Sequence, residues 1–336
     1  MKKVFCFGEI LLRMSPVLDQ VWINNASMPV HIGGAELNVA KALAGWKQPV
    51  TYMSAMPDNY LSKEIAASIA ACNIGTEAMQ FCGDRIGVYF LPQGADLKNA
   101  GVIYDRAHAS FSTALFPGKI NWDELFEGSD WFHFSAISPA LNEQAAALCL
   151  DALQAAKKLG LTISVDLNYR AKLWKYGKQP SEVMPELVAY ADVIMGNIWS
   201  AKDLLGIALP SGVDAALTKE QFAACAKETA AVLFAQNPNC KVVANTFRFT
   251  PDGEGVDYYA TLDTTVTQVV ATSFHADSVV DKVGSGDCFM AGLIYGIHNQ
   301  LDHQETINYA ASAAFGKLQE LGDSTKQTIE QIKSRY

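Results

Sequence analysis

NEQAAALCLDALQAAKKLGLTISV, residues Asn142–Val165, carries the reading that decides the fold. Ala145, Leu148, Ala152 and Ala155 recur at spacings of three, four and three, which draws one apolar stripe along a helix over 142–158. Gly160 closes that helix, and Leu161–Val165 follows as a short β-rich run. The same alternation extends in both directions. Val4–Phe7, Val50–Met53, Trp131–Phe134, Asp192–Met195 and Lys241–Ala244 are the other candidate strands, with helix-period sequence between them. Strands alternating with helices predict a doubly wound, mostly parallel α/β sheet covered on both faces, and ligands then bind beyond the carboxyl ends of the strands.

Two segments break the rhythm. Residues 11–32 and 87–107 lack helical period and show strand composition, with turns expected at Pro92-Gln93-Gly94 and Lys98–Gly101. Together they predict a small β-sheet lid over the site, which would exclude water from it. Asp252-Gly253-Glu254-Gly255 reads as a surface turn between strands beginning near Thr246 and Val256. No repeat or flexible linker divides the chain, so residues 1–336 are expected to form a single domain carrying its lid.

Half of the 336 residues are apolar, enough for a large core, and the formal charge of −9 argues against a nucleic-acid partner or an anionic membrane surface. Seven scattered cysteines without a C-x-x-C pair suit reduced thiols, and no window approaches the ~18 apolar residues of a membrane span. A soluble cytoplasmic protein is expected. The six histidines show no metal-ligand spacing and read as surface or packing residues.

The chemistry concentrates in Asp281-Lys282-Val283-Gly284-Ser285-Gly286-Asp287, which runs into the apolar helix Cys288–Gly296. A glycine turn at a helix mouth offers unpaired backbone N–H groups and the positive end of the helix dipole to an anion, and phosphate is the natural guest. Asp287 brings like charge to that guest, which makes sense if it takes a proton from a hydroxyl attacking phosphorus. The alternative is an aspartate that only caps the helix. No P-loop ending and no protein-kinase signature is present, and Phe289 replaces the third glycine of a dinucleotide fingerprint.

Three further clusters accompany it. Gly33-Gly34 precedes an alanine-rich helix with Asn38 in its first turns, which fits either close ligand approach or a tight strand-to-helix turn. Tyr89, Tyr104 and Arg106 could grip a polyhydroxylated acid, the guanidinium through paired hydrogen bonds to a carboxylate, or could be an ordinary solvated strand face. Asp166, Asn168 and Arg170 gather at a strand end, where ligand contact competes with a loop salt bridge between Asp166 and Arg170.

In this order, these segments resemble the ribokinase-like, or PfkB, carbohydrate kinases over nearly the whole chain. Gly33-Gly34-x-x-x-Asn38 looks like the family's sugar-binding motif and Asp281–Leu293 like its catalytic motif. Gly8–Leu11, Tyr89, Tyr104-x-Arg106 and Asp166-x-Asn168-x-Arg170 are most similar to the 2-keto-3-deoxygluconate kinases within it.

The resemblance implies ATP as donor with Mg²⁺ held mainly through the nucleotide, accompanied by a monovalent cation, and a homodimer or higher homo-oligomer formed through the lid. It implies Asp287 as base, with the N–H groups of Gly284, Ser285 and Gly286 at the transferring phosphoryl. Gly34, Asn38, Tyr89, Tyr104, Arg106, Asn168 and Arg170 would surround a sugar acid, and Asn197, Thr246, Arg248, Gly284 and Gly286 would meet the nucleotide. Fructokinase, or kinase of another keto sugar or sugar acid, is the alternative enzyme. A catalytically weak sugar sensor is the alternative of a different class. Three departures from the family stand out: Lys282 where a small residue is usual, Ser200 where Asn-x-x-Glu would put Glu, and Asn245–Arg248 in place of a glycine-rich nucleotide strand end.

Overall fold

The computed structural model of the protein describes residues 2–16, 27–92, 101–213, 217–250 and 255–336. The central sheet contains β1 (Lys3–Phe7), β4 (Val50–Met53), β9 (Ser129–Ser135), β10 (Thr162–Asp166), β11 (Val193–Gly196), β12 (Val242–Phe249), β13 (Val256–Asp263), β14 (Gln268–Val270) and β15 (Phe274–Ala276). Their order is β14-β13-β12-β11-β10-β9-β1-β4, with β15 also paired to β13. From β12 to β4 every neighbour is parallel, and β13 turns back antiparallel.

A second sheet orders β3 (Val30–Gly33), β2 (Leu11–Met14), β7 (Gly87–Phe90) and β8 (Ile103–Asp105). These strands come from the two segments that lack helical period. A parallel pair, β5 (Ala55–Met56) and β6 (Gln80–Phe81), completes the strands. The helices are α1 (Ala35–Gly45), α2 (Tyr60–Ala70), α3 (Ser110–Thr113), α4 (Trp122–Leu125), α5 (Glu143–Lys158), α6 (Pro180–Val188), α7 (Ile198–Leu205), α8 (Lys219–Gln236), α9 (Ser285–His298), α10 (His303–Lys317) and α11 (Ile329–Lys333).

Strand alternation builds two cores from one sheet. In β1, Val4 and Cys6 face a cluster with α1, α9 and α10, while Phe5 and Phe7 face a cluster with α5 on the other side. The stripe expected on α5 buries Ala145, Leu148 and Ala152, and Ala155 lies at its half-buried margin. Asn142 caps that helix by accepting from the Ala145 N–H at 2.8 Å, which is worth about 1 kcal/mol.

One strand assignment changes. Lys241–Ala244 and the strand expected near Thr246 are a single strand, β12, which runs unbroken to Phe249. It outruns β11, whose last residue Gly196 pairs with Asn245, and continues because β13 still supplies hydrogen bonds as far as Phe249. The turns expected at 92–94, 98–101 and 252–255, and the middle of the 11–32 segment, fall largely outside the described residues. Among the described residues, no helix is long and apolar enough to cross a membrane.

Candidate active site

The turn Asp281–Gly284 delivers the chain into α9 at the carboxyl side of the sheet. Gly284 is the N-cap residue, with φ of 78° and no side-chain hydrogen bond across the helix mouth. A Cβ there would collide with the backbone carbonyl of Asp323, so only glycine fits. The first-turn N–H groups therefore stay available to a guest anion. Gly286 is exposed, with open space around it, whereas the Ser285 hydroxyl turns inward to donate to the Ala314 carbonyl at 3.0 Å. Asp287 is not the cap. It is the third helical residue, 8% exposed, and its Oδ2 accepts from Asn38 Nδ2 at 2.7 Å.

Asn38 reaches it from α1, whose N-cap is Gly34 with φ of 141°. A side chain at Gly34 would strike the Glu9 carbonyl, so the second glycine of the pair is needed for that approach. Glu36, two residues before Asn38 on α1, is buried and accepts from the N–H and hydroxyl of Ser135 at 2.9 and 2.6 Å. From the end of β10, Asn168 donates to Asp166 at 3.4 Å, and the Arg170 Nη1 donates to the Tyr169 carbonyl at 3.0 Å.

These groups converge electrostatically on Asp287, whose pKa is pushed up to about 8. Burial is the largest cause; the Asn38 hydrogen bond and the Arg170 charge oppose it, while Asp166 and Glu36 add like charge. The result is a carboxyl that titrates near neutrality at the mouth of an uncapped helix, a setting suited to a general base beside an anion.

Tyr89, Tyr104 and Arg106 lie together at the small sheet. Arg106 follows the last residue of β8 and is buried against Glu9, its Nε 2.9 Å from Glu9 Oε2 and its Nη2 bonded to the same oxygen. Its guanidinium is thus already neutralised, because Glu9, 3% exposed, needs a counter-charge. Tyr89 is buried and donates its hydroxyl to Asp323 Oδ2 at 3.3 Å; Tyr104, half-buried, lies with its ring 6.2 Å from that of Tyr89 and 5.7 Å from the Arg106 guanidinium carbon. Among the described residues Arg170 forms no ion pair, which leaves it the more available of the two arginines.

The pfkB family carbohydrate kinases match this chain over residues 1–329. The chain belongs to that family. A crystal structure of 2-dehydro-3-deoxygluconokinase from Thermotoga maritima is similar, with a TM-score of 0.89 and 32% identity over 100% of this chain and 99% of that one. A 2-dehydro-3-deoxygalactonokinase of Haloferax volcanii is 33% identical over 168 residues, 50% of this chain and 52% of its own length, so the match spans about half of that relative. Probable fructokinase-2 of Arabidopsis thaliana is 26% identical over 87% of this chain and 80% of its own.

Two of the three departures of this pfkB kinase from the family pattern have a local structural setting. Asn197 caps α7, accepting from the Ser200 N–H at 2.9 Å, while the Asn197 N–H donates to the Ser200 hydroxyl oxygen at 2.9 Å. Serine at this position closes a capping box rather than offering a carboxylate. Thr246 and Arg248 lie within the overhanging part of β12, Thr246 donating to the Gly196 carbonyl at 3.4 Å and Arg248 standing opposite Tyr258. Sequence reasoning missed Arg13 and Asp323, described below. Arg13 had a visible signal, a lone charge in an otherwise apolar run from Ile10 to Met14, whereas Asp323 had none.

Proposed function

We propose that this carbohydrate kinase transfers the γ-phosphoryl of ATP to the terminal hydroxyl of 2-keto-3-deoxygluconate, giving 2-keto-3-deoxy-6-phosphogluconate. The observation that carries the reading is Asp287, held by Asn38 beside Arg170 at the open end of α9. The sugar hydroxyl oxygen attacks the γ-phosphorus, the bond to the β,γ-bridging oxygen breaks with its electron pair leaving on ADP, and the hydroxyl proton passes to the Asp287 carboxylate. The N–H groups of Gly284, Ser285 and Gly286 stabilise charge on the moving phosphoryl, so positioning and electrostatics supply most of the rate and the base adds about 10²–10⁴. Mg²⁺, bound through the nucleotide phosphates, would neutralise their charge.

Gly34, Asn38, Tyr104, Asn168 and Arg170 surround the sugar acid in this reading, with Arg106 and Tyr89 behind them, and Asn197, Thr246 and Arg248 border the nucleotide. The chain acts as one domain over 1–336, with a lid from 11–32 and 87–107. It works in the cytoplasm as a homodimer through that lid, with a monovalent cation as an accessory ion. A fructokinase reading has one observation in its favour, the neutralisation of Arg106 by Glu9, which leaves the site with less positive charge for a carboxylate.

A coupled assay of ADP formation across sugar acids and ketohexoses is the test. Turnover on the keto-deoxy acid at least about a hundredfold above fructose in kcat/KM supports the substrate; comparable values on the two refute it. Turnover that disappears in Asp287→Asn and persists in Cys288→Ala excludes a non-catalytic sensor.

A further inference from the structure

Behind the anion-binding turn lies a charged cluster that the chemistry above does not use. Arg13, on β2 of the small sheet, is fully buried, and its Nη2 contacts Asp281 Oδ2 at 2.9 Å and Asp323 Oδ1 at 2.7 Å. Asp281 begins the turn, and Asp323 packs against it from the loop after α10. Asp281 accepts from the Val283 N–H at 3.0 Å and the Gly322 N–H at 3.2 Å. Asp323 places its carbonyl against Gly284 and its carboxylate against Gly33, where no Cβ would fit at either glycine. Tyr89, cross-strand from Arg13, donates to the same Asp323 carboxylate, and Val283 packs with Leu11, Leu91 and Val102 of the lid side.

Burying a guanidinium whose Nε and Nη1 find no hydrogen-bond partner among the described residues is an expensive way to stabilise a fold. Its geometry does something else: one nitrogen joins a strand of the small sheet to the two residues that shape the helix mouth.

We propose that Arg13 is a positioning residue that, through Asp281 and Asp323, fixes the Val283–Asp287 turn to the small sheet, so that the phosphoryl-binding amides are aligned only while that sheet is seated. The part concerning phosphoryl transfer rests on the kinase reading; the fixing of the turn does not.

Hydrogen exchange of the Val283 and Cys288 amides, which the turn holds in hydrogen bonds to Asp281 Oδ1 at 3.0 Å and to the Gly284 carbonyl at 2.8 Å, alongside steady-state kinetics on the full chain, tests this with Arg13→Lys and Asp323→Asn. Exchange in the turn is expected to rise about tenfold or more while β1 and β9 keep wild-type protection. In the same variants kcat should fall about tenfold or more, with KM for sugar and ATP within about threefold of wild type. Wild-type protection of the turn in both variants would overturn the proposal. So would faster exchange with unchanged kcat, or loss of β1 and β9 protection in both, which would make the cluster a general structural support. If Arg13→Lys alone fails to fold, Asp323→Asn, which preserves side-chain size, carries the test. A wild-type chain without phosphotransfer whose turn protection still depends on Arg13 would sink the kinase reading and support this one.

Discussion

Asn38 and Asp287, 249 residues apart in sequence, share a 2.7 Å hydrogen bond that ties the first turns of α1 and α9 together. The bond joins the two glycine motifs into one site and favours the ionised form of a carboxyl that burial pushes the other way.

The pH dependence of activity should follow from that balance. With a pKa of about 8, Asp287 is mostly protonated at pH 6, and a base must be ionised to act. kcat/KM is expected to rise about tenfold per pH unit between about 6 and 7.5 and to level off above 8. Asn38→Ala removes a bond made to the ionised form, so the midpoint should move upward. A flat profile across this range would rule Asp287 out as the titrating base.

Stability has the opposite sign. The folded state holds the Asp287 proton up to about pH 8, while the unfolded chain releases it near the ordinary carboxylate value of 3.8. Wild-type stability contributed by this group is therefore full in acid and is lost as pH climbs through that interval. Asp287→Asn does not titrate, so its advantage in thermal unfolding should grow from pH 5 to pH 9 and reach about 2–4 kcal/mol. A constant difference in Tm between the two pH values would contradict the burial argument.

Glycines in the turn should separate by function. Gly284→Ala places a side chain at φ of 78° and against the Asp323 carbonyl, and is expected to cost about 2–4 kcal/mol and nearly all activity. Gly286→Ala meets open space, so its Tm should stay near wild type while KM for ATP rises. Equal loss of stability in both variants would show that the turn is not shaped as described.

The two arginines should part company in the same way. Arg106→Ala leaves Glu9 buried without its partner, and denaturant unfolding should register a loss of about 3–5 kcal/mol, at least half of it recovered by adding Glu9→Gln. Arg170→Ala, half-buried and outside any described ion pair, should leave stability within about 0.5 kcal/mol. Its effect should appear as a thirtyfold to thousandfold drop, roughly, in preference for sugar acid over neutral ketohexose. If that preference depends on Arg106 alone, the carboxylate contact has been assigned to the wrong arginine.

Much of the architecture was legible because it follows from local rules. The stripe on α5, the alternation of Val4 and Cys6 against Phe5 and Phe7, and the glycine turn before α9 are all readable within a dozen residues. The local pattern splits β12 into two pieces, since its continuation past Asn245 depends on pairing with β13, a partner that no local pattern discloses.

The sequence by itself determined the layered α/β fold, the glycine turn at the mouth of α9 and the aspartate within it, because side-chain periodicity and backbone freedom are properties of short segments. Tertiary structure alone decided which charges remain available. Glu9 meets Arg106 across 97 positions and Arg13 meets Asp281 across 268. A buried charge is governed by whichever opposite charge the fold brings within about 3 Å of it, and that choice is made by packing, not by proximity along the chain.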